Sequence, residues 1–270
     1  MNIIKQLDDA LTKFLDKFYI SEVNKDVENI YHMVNPSKNV LIALAEKAPD
    51  YIPYIQENYP DKLTEEVKQA IIQNNPATIE YFQDASEVLQ LVAVTKDPST
   101  IVAISNPYPN VQVTAVQRNP ELIKSIVDPC EEARLISVKE RWGNISQIED
   151  PTEQEMLAAV NGDSSSILYI NYSSVDVQLA AVNDNAYNIL KIRNPQIVAC
   201  KAAIQKEFGN INIPDQNIRD ATITLFSKME ETNRKYDEMW LCADYADDFE
   251  DKLREWKEAD SWKEEQLSKA

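Results

Sequence analysis

Apolar positions recur along this chain with a period of 22. A short, mostly small residue followed by an aliphatic one stands at Ile71-Ile72, Ala93-Val94, Ala115-Val116, Ser137-Val138, Ala159-Val160, Ala181-Val182 and Ala203-Ile204. Four residues after each aliphatic come Pro76, Pro98, Pro120, Trp142, Ser164, Ala186 and Phe208. Three further on, every unit carries isoleucine: Ile79, Ile101, Ile123, Ile145, Ile167, Ile189 and Ile211. Another three on stand Phe82, Ile104, Ile126, Ile148, Ile170 and Ile192. Seven units keep this register without an insertion. Self-similarity at a fixed period of about 20–50 residues marks an array of stacked repeats.

The punctuation of each unit translates into local structure. In Asp176-Val177-Gln178-Leu179-Ala180-Ala181-Val182, the apolar residues make a broad stripe of good helix formers, which predicts a well-buried α-helix of about 10 to 12 residues. Asn75-Pro76, Asp97-Pro98 and Asn119-Pro120 then pair an N-cap residue with proline at the first helical position. They predict a second, shorter helix of about 5 to 7 residues, with the Ile-x-x-Ile pair on one face. Asn/Asp-Pro pairs at 106-107, 128-129, 150-151 and 194-195 end it and turn the chain, a task they are expected to perform without positive φ. One such unit cannot bury its own stripe, so neighbours must stack.

The two ends depart from the template. Leu44-Ala45, Pro49, Ile52 and Ile55 match it once more, 27 residues upstream of the next unit, with five extra residues between Gln56 and Glu65. Ahead of this, Ile4, Leu7, Leu11, Phe14, Leu15 and Phe18 share a helical face, and Val27 to Val34 reads as a second helix closed by Asn35-Pro36. Together, residues 1-40 are expected to cap residues 41-226, the repeats. After Pro214 neither Gly nor Pro occurs, and Leu225, Met229, Thr232, Tyr236, Met239, Ala243, Ala246, Phe249, Leu253 and Trp256 follow a 3-4 spacing. Residues 227-270 are read as a long acidic amphipathic helix. The fold class is therefore all-α: a right-handed α-solenoid of about seven helix-pair repeats, capped N-terminally and closed by a long C-terminal helix.

Composition narrows the function. Three Gly in 270 residues exclude a glycine-rich nucleotide loop. The formal net charge of −18 opposes direct nucleic-acid binding and adhesion to anionic lipid. The acidity is spread: 7 basic against 12 acidic residues over 1-66, 12 against 19 over 67-226, and 8 against 14 over 227-270. Within it lies a window without Lys or Arg between Arg141 and Lys191, containing Glu149, Asp150, Glu153, Glu155, Asp163, Asp176 and Asp184. Cys130, Cys200 and Cys242 lack disulfide or zinc spacing. With no signal-peptide pattern and no apolar span, the reading is a cytoplasmic protein without metal or cofactor.

No residue pair carries a catalytic signature. His32 is the single histidine, and Cys130 has Glu131 and Glu132 beside it, which oppose a reactive thiolate. Two groups are instead candidates for partner binding. A solenoid presents one helix position side by side along its surface, so Gln90, Gln112, Arg134, Met156, Gln178 and Cys200 form a column, with Gln90, Gln112, Arg134 and Gln178 as polar contacts. The bland reading is that Gln is an exposed helix former. Glu149, Asp150, Glu153 and Glu155 form the acidic candidate, against a merely solubilising face. In the C-terminal segment, Trp240 and Trp262 stand among acids as hot-spot candidates.

At these columns the phrases Val177-Gln178-Leu179-Ala180-Ala181-Val182-Asn183-Asp184-Asn185 and Asn119-Pro120-Glu121-Leu122-Ile123 resemble the short-helix α-solenoid repeats of bacterial and phage proteins, the leucine-rich-repeat variant and HEAT-like groups. The resemblance covers roughly residues 40 to 226. It implies stacks used for protein recognition, with no shared catalytic residues. The 22-residue period and the absence of an upstream cysteine cluster depart from the leucine-rich-repeat variant, so no iron-sulfur partner domain is implied.

The expectation is a non-catalytic, phage-related adaptor or inhibitor that binds another protein, one with a basic surface. The alternative is a nucleic-acid mimic whose carboxylates occupy the basic channel of a host nuclease or other nucleic-acid enzyme, an anti-defence role. A second copy of the chain, paired through the C-terminal helix, is a further candidate partner.

Overall fold

The repeat period sets the architecture, and the first-helix starts in the computed structural model fall at 65, 87, 109, 131, 153, 175 and 197, each 22 residues apart. Residues 2–209 and 218–242 are described, with side chains described for 10–209, 218–228, 230, 231 and 234. The helices are α1 Asn2–Lys25, α2 Lys38–Lys47, α3 Ile52–Asn58, α4 Glu65–Asn74, α5 Glu87–Lys96, α6 Pro109–Arg118, α7 Glu131–Glu140, α8 Glu153–Gly162, α9 Val175–Asp184, α10 Ile197–Phe208 and α11 Ile218–Cys242. Among the described residues there is no strand. The fold is an all-α, solenoid-like repeat.

In the six units that start at 65 to 175, the second element is a six-residue 3-10 helix, as in Pro76–Tyr81, Pro98–Ala103, Pro120–Ser125 and Ser164–Tyr169. A 3-10 helix has three residues per turn, so the Ile-x-x-Ile spacing stacks both aliphatics on one edge. The aliphatic at the end closes the last turn, with the Ile104 N–H donating to the Ile101 carbonyl at 3.1 Å. The starts are capped as the Asn/Asp residues predict: Asn75, Asp97, Asn119, Asp163 and Asn185 each accept a backbone N–H two residues on. Such a cap contributes about 1 kcal/mol.

Asn/Asp-Pro turns do not all avoid positive φ. Asn35, Asp128 and Asp150 have φ of 54°, 53° and 48°. This corrects the reading of those junctions. Asn and Asp tolerate the left-handed region better than other side-chain-bearing residues, which is how so few glycines suffice.

Contacts divide the chain into two compact units, Met1–Ile136 and Ser137–Ala270. In the first, α2, α4, α5 and α6 pack on their neighbours in one layer, and the 3-10 helices pack on each other in a second. The core between the layers includes Leu44, Ile52, Ile71, Ile72, Leu89, Val94, Ile101 and Val116, all buried. The degenerate first unit spends its extra residues on α3 and the short 3-10 turn Pro60–Lys62. The N-terminal pair is α1 and the 3-10 helix Val27–His32. α1 rests on α2 through buried Val23 with Tyr19 and Ile20, not through the Leu11, Phe14, Leu15, Phe18 stripe, which is exposed.

The second unit repeats the two layers with α8, α9 and α10. Here Trp142 replaces the helix-starting proline, and Gly162 makes room for it, since a Cβ there would lie 3.1 Å from the Trp142 Cβ. α11 closes the stack: Phe226 is fully buried and meets Tyr187 and Phe208 edge-to-face at 5.2 and 5.5 Å. α11 thus runs through residue 226 without a break. The Ile211 column position and the expected helix beyond Cys242 lie outside the described residues.

Candidate functional site

Each unit ends in a short loop between its 3-10 helix and the next α-helix, and these loops carry backbone groups that no helix satisfies. Buried or half-buried backbone groups need partners. The glutamine column provides them. Gln90 Nε2 donates to the carbonyls of Ala85 (3.1 Å) and Asn106 (3.4 Å), and its Oε1 accepts from the Tyr108 N–H (3.2 Å). Gln112 joins the Pro107 carbonyl (3.0 Å) to the Cys130 N–H (2.7 Å). Gln178 joins the carbonyls of Ser173 (3.2 Å) and Asn194 (3.3 Å) to the Gln196 N–H (2.8 Å). Each amide clasps the loop before its own helix to the loop one unit later.

This corrects the column's assignment to a recognition face. Gln90, Gln112 and Gln178 are 3%, 7% and 2% exposed, with both ends of each amide committed inside the chain. Met156 and Cys200 of the column are buried, and Arg134 is half-buried. Burial also pushes the Cys200 thiol upward, against smaller opposing effects led by a hydrogen bond with Thr222. Sequence alone cannot separate a buried from an exposed glutamine, because the residue is a good helix former in either place.

The acidic candidates separate in the same way. Glu149 and Asp150 are exposed on the loop before α8. Glu153 is exposed in the first turn of α8, and its carboxylate accepts from the Ser174 hydroxyl. Glu155 is fully buried, which removes it from any acidic surface. It forms a capping box with Thr152: its Oε2 accepts from the Thr152 N–H at 2.7 Å, and its own N–H donates to Thr152 Oγ1 at 3.3 Å. At Thr152 the capping glutamate takes the N–H that a glutamine takes at Tyr108, Cys130 and Gln196. The residue at the matching column position is Arg134, whose guanidinium carries only donors and so cannot accept that N–H.

Other acids of the lysine-free window also serve the fold. Asp163 caps the 3-10 helix Ser164–Tyr169, and hydrogen bonds from the Ser165 side chain and backbone hold its carboxyl below the ordinary aspartate range. Asp184 accepts from the Ser164 hydroxyl at 2.6 Å, which in turn accepts from Asn188 at 2.8 Å. The chain runs from buried Asn188 and Ser164 to the exposed Asp184 carboxylate, and local sequence does not show it because Ser164 lies one repeat before the other two. Trp240 lies on α11, where its side chain is not described, and Trp262 lies outside the described residues. His32 is exposed at the end of its 3-10 helix, and Cys130 is half-buried with its Sγ 3.9 Å from the Pro109 carbonyl.

In the first unit the loops surround a groove of about 590 Å³. Buried Gln90 and Gln112 line it together with Tyr108 and the exposed Asp84 and Asp128. Tyr108 is 46% exposed and the neighbouring Val127 86%. No Lys or Arg lines the groove. In the second unit the matching loop positions are Asp150 and Tyr172, both exposed. Among the described residues, no three His, Cys, Asp or Glu side chains are grouped to hold a metal ion, and no helix is long and apolar enough to cross a membrane. The chain matches no protein-family model, no curated protein and no solved structure.

Proposed function

We propose that the protein is a non-catalytic recognition module whose loop edge takes a basic, extended segment of another protein. The groove of about 590 Å³, lined by Asp84, Asp128 and an exposed Tyr108 and by no Lys or Arg, carries this reading. Carboxylates beside an aromatic face suit Lys or Arg side chains, through charge pairing and cation–π attraction. Paired loops give an extended chain backbone and side-chain contacts without demanding a helix of the partner. The adaptor or inhibitor role, and a phage-related origin, belong to this proposal as well.

The nucleic-acid-mimic reading has less support. It needs a run of carboxylates turned outward at about phosphate spacing. In the Lys- and Arg-free window, Glu155 is buried, while Glu153, Asp163 and Asp184 are engaged by Ser174, Ser165 and Ser164.

The test is fluorescence-anisotropy titration with a Lys/Arg-rich 10-residue peptide and an acidic peptide of equal length, across a salt series. Binding of the basic peptide alone, weakened about tenfold by Asp84→Asn with Asp128→Asn and lost by a few hundred millimolar salt, is expected. Equal affinity for both peptides, or no effect of the double variant, would overturn the assignment. Charge reversal at Glu149, Asp150 and Glu153 separately tests the acidic edge of the second unit; Glu155 is left unchanged because reversing it would break a helix cap.

A further inference from the structure

The geometry points to a second copy of this chain as the occupant of the outer face of α1. Along α1, Ile4, Leu7, Leu11, Phe14 and Phe18 are spaced 3, 4, 3 and 4 residues apart. That is the a/d register of a coiled-coil seam, in which each large side chain fits between residues of a facing helix. A helix that only covers its own core needs one such stripe, yet α1 has a second set for that purpose. Its packing side consists of Val23, Tyr19 and Ile20, with Asp16 accepting from Asn39 at 2.9 Å on α2. Leu11, Phe14 and Phe18, the described part of the seam, are therefore surplus to the packing of α1 on the repeats.

Its described members are left in water. Leu11, Phe14 and Phe18 are 57%, 66% and 50% exposed, and Leu15 beside them 38%. A contiguous apolar face of this kind marks an interaction surface.

Charge selects the occupant. The molecule carries −18, but α1 holds four lysines against four acidic residues and is neutral. Two like-charged copies repel least where each presents a neutral element, whereas an anionic membrane would be opposed by the rest of the chain. A basic partner would gain nothing from α1 and would be drawn to the acidic surface elsewhere. The a/d seam is self-complementary, so a two-fold pair of α1 helices covers both faces at once.

The experiment is sedimentation equilibrium of the full chain from about 1 to about 200 µM, a range that brackets micromolar association. The expected result is a concentration-dependent rise toward twice the 30.8 kDa chain mass. Leu11→Ser with Phe14→Ser should raise the dissociation constant at least about 100-fold, from the apolar area no longer buried. Lys13→Ser, on the same helix but off the seam, should leave the mass unchanged, and far-UV circular dichroism checks that every variant is folded. A wild-type monomer at all concentrations overturns the proposal, as does an undiminished dimer in the folded double variant. Monomers that instead co-sediment with neutral phosphatidylcholine vesicles would assign the seam to a lipid surface and overturn it too.

Discussion

Gln90, Gln112 and Gln178 show how a single residue type can be read correctly as helical and still be misplaced in space. Their helix positions follow from periodicity; their burial follows from loop amides and carbonyls as far as 18 residues along the chain. Gln90→Leu keeps the bulk but leaves the Tyr108 N–H and two carbonyls without their partner. The expected loss is about 2–3 kcal/mol, because an orphaned buried polar group costs about 1–3 kcal/mol. Urea unfolding checks it, and a loss below about 0.5 kcal/mol would show that water replaces the clasp.

Asp150 is a second residue with two separable roles, an exposed charge and a left-handed backbone at φ 48°. Asp150→Gly removes the charge and relieves the backbone, so stability should hold or rise. Asp150→Ala removes the charge and keeps the strain, so it should cost about 1 kcal/mol more than the glycine variant. Thermal unfolding of the two variants side by side separates conformation from electrostatics.

At the scale of the element, the alternation of ten-residue α-helices with six-residue 3-10 helices comes from local chemistry. Broad stripes favour the α-helix, while a proline start and a strict three-residue spacing favour the tighter one. The caps divide into neutral and ionised kinds. Asn75, Asn119 and Asn185 cap without charge, whereas Asp97 and Asp163 cap as carboxylates. Hydrogen bonds from the Ser99 side chain and backbone hold Asp97 below the ordinary aspartate range, and Ser165 does the same for Asp163.

A carboxyl whose folded pKa is lowered adds stability that is fully present above its unfolded value, about 3.9, and is lost as pH falls through the folded value. Wild type should therefore lose stability on acidification below about pH 4 relative to the Asp97→Asn, Asp163→Asn double variant. Urea midpoints at pH 7 and pH 3 check this: the gap between the two proteins should change in the variant's favour at pH 3. Comparison with the variant cancels the general relief of charge repulsion that any protein of net charge −18 gains in acid.

At the scale of the molecule, each unit's stability is the sum of short-range terms between neighbours, as stacked repeats require. The 22-residue period, the N-caps, the short second helix and the near absence of glycine were legible because each is decided within a few residues of chain. The buried glutamines and the Asn188–Ser164–Asp184 chain were not, since each joins groups brought together only when units stack; the Thr152–Glu155 capping box is local and its Thr-x-x-Glu spacing stands in the sequence, but the burial of Glu155 does not. The same holds for α1. Sequence showed an apolar stripe but not that another face of the helix meets α2.

The amino-acid sequence by itself thus determined the repeat, its punctuation and the global charge, because local sterics, capping and composition need no neighbours. Only the tertiary structure decided which polar columns face inward, which carboxylates remain on the surface, and which face of α1 is left for a partner. Burial is a property of what packs alongside, and in a stacked array that neighbour lies about one repeat away.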